Sequence, residues 1–171
     1  AITQFLKTMI SSNSKYDRVL RNEDVFTPEE NAGFASFNSF TGGDCFHCHG
    51  GILGTDLSYK NNGLDEFPID TARGIVTGIL NDNFKFKVPS IRNIEYSAPY
   101  MHDGRFNSLD QVINFYSIGI HPNSPNIDPL MELSFQGGVQ LEPQERLELK
   151  AFLLTLSDPE FVNNPKFSNP F

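Results

Sequence analysis

Apolar residues recur every three or four positions in several stretches of the chain, with polar, turn-forming residues between them. Ile2, Phe5, Leu6, Met9 and Ile10 share one helical face and predict a short amphipathic helix over residues 1–10. The following SSNSKYDRVLRNEDVF is polar and rich in turn formers, which predicts a linker or domain edge at residues 22–25. A helix over residues 28–40 is announced by Thr27 as cap, Pro28 at the first helical position and Glu30 three residues after the cap, and it presents Phe34 and Phe37. In FNSLDQVINFYSIG, Ser108 and Gln111 stand in capping-box register, and Leu109, Val112, Ile113 and Tyr116 make one apolar stripe over residues 109–117. A last helix opens at Pro143, repeats Leu147, Ala151 and Leu154 on one face, and stops near Ser157, before Pro159. Residues 50–88, rich in Gly, Asn and Asp, read as loops with short extended pieces. No alternating series predicts a sheet, and there is no internal repeat or low-complexity tract. The pattern is all-α with long loops.

A chain of 171 residues, 39% apolar and 20% charged, can bury a core as one domain or one domain with an appendage. No apolar run approaches the roughly 18 residues that a membrane span requires. The net charge of −8 argues against nucleic acid as a partner and favours basic protein surfaces. Trp is absent while Phe occurs 16 times, a composition that suits a core and also the lining of a large, flat, apolar ligand. The chain begins at Ala1 with no charged-then-apolar leader, so a processed mature protein or a fragment is expected.

The stretch GGDCFHCHGG holds both cysteines and two of the four histidines. Cys45, Cys48 and His49 form C-x-x-C-H, the attachment signature of c-type haem. One short turn lets two thiols form thioethers with the vinyl groups of a haem edge, while the next side chain supplies an imidazole to the iron. Gly42, Gly43, Gly50 and Gly51 around the motif permit close approach of backbone to a macrocycle. A zinc site would need further ligands, and only His102 and His121 remain, at irregular distances. A thioredoxin-like dithiol would need a preceding strand, and a plain disulfide would leave His49 without a purpose. His47, inside the motif, is expected to face solvent. The fold class is therefore an all-α, cytochrome c-like domain with long loops around one covalently bound haem. Since covalent attachment follows export, a periplasmic location is expected, with no membrane span.

A haem held on one face can bind peroxide or oxygen, whereas one held on both passes electrons, so the second axial ligand decides the chemistry. Residue types leave Met101, Tyr116, His102 and His121 as candidates: Met101 lies in a loop pinned by Pro99 and Gly104, and Tyr116 continues an inward-facing stripe. Arg92, with Lys85 and Lys87 nearby, is a candidate partner for haem propionates, because guanidinium and carboxylate match as a fork. His102 and Asp103 before Gly104 make a tight turn, and His121 has no clear role.

The run KVPSIRNIEYSAPYMHDGRFNSLDQVINFYSIGI, residues 87–120, closely resembles the second haem domain of bacterial di-haem cytochrome c peroxidases and the related MauG-type enzymes. AITQFLKTMISSNSKYDRVL resembles the end of their first haem domain, so residues 1–25 are expected to be an N-terminal helix and linker and residues 26–171 the cytochrome c domain. FLLTLSDPEF through SNPF resembles their C-terminal helix and tail. The likeness is weak through residues 50–88. The resemblance implies a distal ligand on the helix after the H-D-G turn, Met in typical peroxidases and Tyr in MauG-like members. The matching position is Tyr116, while Met101 falls where many relatives carry Phe. It also implies calcium held by the backbone carbonyls of Ser97 and Pro99, and a small cytochrome c or cupredoxin as electron donor. A di-haem peroxidase carries a second C-x-x-C-H, and this sequence has one. The expectation is an electron-transfer domain of a peroxidase-like system working with a second haem domain or subunit. The alternatives are a stand-alone electron-carrier cytochrome c and a single haem that itself turns over peroxide.

Overall fold

Two helices, α3 (Pro28–Phe37) and α7 (Pro143–Leu154), cross tightly and organise the rest of the chain in this computed structural model, which describes residues 2–168. The crossing turns on Gly33, where an added Cβ would lie 1.9 Å from the Glu148 carbonyl oxygen. α3 starts as expected: Thr27 Oγ1 accepts from the Glu30 amide at 3.2 Å, and the Glu30 carboxylate accepts from the Thr27 amide at 2.7 Å. It ends three residues earlier than predicted, because the chain folds back over the last turn, where the Gly43 amide donates to Ser36 O at 2.8 Å and the Cys45 amide to Phe37 O at 3.1 Å. That reversal carries Cys45 into the interior.

α7 buries a different face from the predicted one. Leu149, Phe152 and Leu153, with Leu156 beyond the helix, enter the core, while Leu147 is 58% and Leu154 36% exposed. Both sets have helical periodicity, and the bulky Phe152 decides between them. Its ring packs on Phe37, Phe34, Tyr16 and Phe26 with centroids 5.1, 5.3, 5.9 and 6.0 Å away.

Tyr16 belongs to α2 (Lys15–Leu20), in the stretch expected to be linker. Ser14 caps it, and Asp17 completes the capping box. Asp158 fastens the preceding residues: its Oδ2 accepts from the amides of Ser12 at 3.0 Å and Asn13 at 2.9 Å and from the Ser11 hydroxyl at 3.1 Å. The predicted helix over residues 1–10 is shorter, α1 (Ile2–Leu6), with every side chain exposed. Ala1, in that expectation, and Asn169, Pro170 and Phe171, in the expected tail, lie outside the described residues.

α4 (Phe46–His49) is a single turn. Residues 50–88 form loops around a two-residue antiparallel pair, β1 (Tyr59–Lys60) with β2 (Phe86–Lys87), plus a short unpredicted helix, α5 (Arg73–Thr77). α6 (Leu109–Ile118) follows Ser108, whose hydroxyl caps the Gln111 amide at 3.3 Å. Its predicted stripe divides: Leu109 and Ile113 join the α3–α7 core, while Val112 and Tyr116 turn toward a cavity. Phe115 anchors a second cluster with Leu64 and Ile120. A short α8 (Pro159–Val162) follows α7. No described helix is long and apolar enough to cross a membrane.

Candidate functional site: an apolar cavity between α4 and α6

Between α4 and α6 lies a cavity of about 510 Å³ with predominantly apolar walls. Cys45, Cys48 and His49 line one side, and Tyr116 and Met101 also face it. The cysteines are not bonded to each other. Burial pushes the Cys45 thiol up to about 12 and the Cys48 thiol up to about 11, so both are neutral S–H groups at neutral pH. Cys45 Sγ is 3.2 Å from the Gly43 carbonyl, to which it donates.

His49 is oriented by the loop after it. Its Nδ1 lies 3.1 Å from the Gly54 carbonyl oxygen. Burial lowers its pKa, which favours the neutral ring. A neutral ring that donates through Nδ1 keeps Nε2 as its basic nitrogen, the arrangement of a metal-ligating imidazole. Gly54 has φ +59°, and an added Cβ would lie 2.7 Å from Ile91 Cγ1, so glycine is required where this carbonyl is presented.

Tyr116 sits in the cavity wall with its hydroxyl 2.9 Å from Asn62 Nδ2, which donates to it. Burial pushes this phenol up to about 12, and the Asn62 hydrogen bond opposes the rise. The same Asn62 nitrogen is 3.8 Å from the Met101 sulfur. Met101 packs beside Tyr116 against the Phe115 cluster, so both thioether and phenol reach this wall. His102 is exposed at the rim, stacked on Phe86 with centroids 3.7 Å apart. His121 is exposed and contributes its backbone amide to Gly63 O.

Several expected positions differ. His47 does not point to solvent: its side chain is 21% exposed and its Nδ1 lies 2.9 Å from Asp44 Oδ1. Arg92 does not line the cavity. Its guanidinium grips Asp17 through two contacts, 3.0 Å and 2.5 Å, and donates to the Ile52 carbonyl at 3.1 Å. The fork expected for a propionate is thus committed to a buried carboxylate, and the lysines on the cavity wall are Lys60 and Lys87. Lys60 Nζ in turn sits 3.4 Å from Asp128 and 3.7 Å from Asp56. Sequence reasoning missed Lys60, in the two-residue strand β1, and Asn62 and Asp128, in aperiodic loops; stretches this short and polar carry no periodic signal. Ser97 and Pro99 lie at the cavity edge, and no hydrogen bond among the described residues ends on either carbonyl oxygen.

These features suit a haem. The cavity has the apolar walls a macrocycle requires, two unpaired thiols stand at one edge beside an imidazole whose Nδ1 faces a carbonyl, and an oxygen and a sulfur donor lie on the α6 side.

No protein-family profile matches the chain. It is 32% identical, over 91% of its length, to the cytochrome-c peroxidase IdrP2 of Denitromonas iodatirespirans, covering 47% of that protein. It is 31% identical, over 97% of its length, to the methylamine utilization protein MauG of Methylorubrum extorquens, covering 46% of it. Among solved structures, a MauG-like protein associated with microbial copper homeostasis superposes with a TM-score of 0.81 at 33% identity, over 94% of this chain and 56% of that one. The chain thus spans about half the length of the relatives it matches.

Proposed function

This chain belongs to the di-haem cytochrome c peroxidase and MauG family, where it fits the C-terminal haem domain, and from that premise we propose that it is a c-type haem domain that relays electrons within a peroxidase-type oxidoreductase. Cys45 and Cys48 would hold one haem through thioethers, and His49 and Tyr116 would bind its iron. The observation that carries this reading is the convergence of two unpaired thiols, an oriented imidazole and the Tyr116 oxygen on a single apolar cavity.

Once bound, the haem supplies one-electron chemistry by cycling between ferric and ferrous iron. The chain's own residues set the terms of that cycle. The Gly54 carbonyl fixes the His49 tautomer and orientation. A hard phenolate oxygen supplied by Tyr116 would favour ferric iron and so a potential below that of a His/Met haem. Lys60 and Lys87 bring positive charge to the wall, with Asp128 and Asp56 balancing Lys60. The free carbonyls of Ser97 and Pro99 are hard oxygen donors suited to calcium, whose remaining ligands would come from outside this chain. The electron donor is a small cytochrome c or cupredoxin, the acceptor a second haem domain, and the compartment the periplasm, where covalent haem proteins mature.

Stopped-flow mixing of the ferric, haem-loaded chain with a reduced small cytochrome c or cupredoxin tests the role. Electron transfer to the chain is expected, with only slow oxidation of the reduced chain by hydrogen peroxide. Sustained peroxide turnover by this chain alone would overturn the relay role in favour of a catalytic haem.

A further inference from the structure

Two consecutive asparagines in the loop beside α6 use their side chains differently. Asn61 is buried and devotes its amide to the loop: Nδ2 donates to Ser124 Oγ at 2.9 Å and to Pro125 O at 2.8 Å, and Oδ1 accepts from the Gly63 amide at 2.9 Å. Asn62 makes no side-chain bond to backbone among the described residues. Its Nδ2 instead reaches the Tyr116 oxygen at 2.9 Å and the Met101 sulfur at 3.8 Å, and its side chain lines the cavity. One amide therefore touches both donor atoms available on that wall.

The two contacts differ in strength. An N–H···O separation of 2.9 Å is a full hydrogen bond, whereas a thioether is a weak acceptor. A donor also stabilises oxygen more as that oxygen gains negative charge. The amide thus favours an anionic phenol oxygen and gives the neutral sulfur little.

We propose that Asn62 is a positioning residue that selects Tyr116 over Met101 as the distal ligand of the bound iron. The proposal rests on the reading of Tyr116 as that ligand. Asn62 aims the phenol oxygen and stabilises its charge, and removing the N–H donor shifts the balance toward the thioether, which lies against the same side chain.

The test compares ferric absorption, resonance Raman spectra and reduction potential across four haem-loaded proteins: wild type, Asn62→Leu, Asn62→Asp and Tyr116→Phe. Asn62→Leu removes the donor at similar volume. Asn62→Asp keeps shape and polarity, which guards against misfolding, and at about pH 8 sets an ionised carboxylate against the phenolate. Wild type is expected to show tyrosinate ring modes and a phenolate-to-iron band. Both Asn62 variants should weaken these, and Asn62→Leu should gain the near-infrared band of a thioether on ferric iron together with a raised potential. Wild-type spectra and potential in both Asn62 variants, with tyrosinate modes lost only in Tyr116→Phe, would overturn the role of Asn62 and leave Tyr116 standing. Identical spectra in wild type and Tyr116→Phe would remove the tyrosine ligand, and the selector with it.

Discussion

At the scale of single residues, His49 depends on a carbonyl that only glycine can present. The Gly54 oxygen receives both His49 Nδ1 and the Ile91 amide, at 3.1 and 3.2 Å. A methyl at Gly54 would strike Ile91 and strain a backbone with φ +59°. Gly54→Ala is therefore expected to disturb the orientation of the imidazole, read as a shifted reduction potential and altered histidine signals in the paramagnetic NMR spectrum of the haem-loaded protein. That Cys45, Cys48 and His49 belong together was legible because three scarce residue types stand at one diagnostic spacing, and the structure gathers them on one cavity. The inward orientation of Tyr116, which lines the same cavity, was legible from the helical pattern of its neighbours. The partner of Arg92 was not legible, because Asp17 is 75 residues away and sequence does not reveal which carboxylate a guanidinium meets. The pair is buried, with side chains 13% and 5% exposed, so Arg92→Met strands the carboxylate and is expected to cost about 3–5 kcal/mol in denaturant unfolding.

Among elements, the α3–α7 crossing carries the fold, and its position is fixed at Gly33. Gly33→Ala would drive a methyl into the Glu148 carbonyl and the Phe152 Cβ, at 1.9 and 2.9 Å. Separating the helices to admit it is expected to lower the unfolding free energy by about 3 kcal/mol, despite the better helix propensity of alanine. The existence of α3, α6 and α7 was readable from caps and periodicity, since local hydrogen bonding sets them. The buried face of α7 was not, because two stripes have the same period and tertiary packing of Phe152 chooses one. α2 escaped notice because it is six residues long and its capping box uses Asp17 in place of the usual Glu or Gln.

For the whole molecule, the N-terminal segment is tied to the body by two buried carboxylates whose ionisation matters. Burial alone would raise Asp17, but the Arg92 fork and the Ser14 bonds outweigh it and hold its pKa below the usual carboxylate value. Burial likewise opposes ionisation of Asp158, and the amides of Asn13, Phe161 and Ser12 with the Ser11 hydroxyl reverse the balance. A pKa lower in the folded than in the unfolded chain means that this stabilisation is fully present above about pH 4 and is lost as pH falls from there through the depressed native values. Unfolding free energies measured against pH should therefore drop steeply below about pH 4 in the wild type. Asp158→Asn should flatten that drop and cost about 2 kcal/mol at neutral pH. All of these ties position one cavity, and the central claim is that Cys45 and Cys48 bind a haem there covalently. The most direct measurement is the intact mass of the denatured chain, produced by export with a cytochrome c maturation system, together with a pyridine haemochrome assay. One haem per chain, retained on denaturation in the wild type and lost from a Cys45→Ser/Cys48→Ser variant, is the predicted result. A wild-type chain at bare polypeptide mass, with no haemochrome signal, would contradict it.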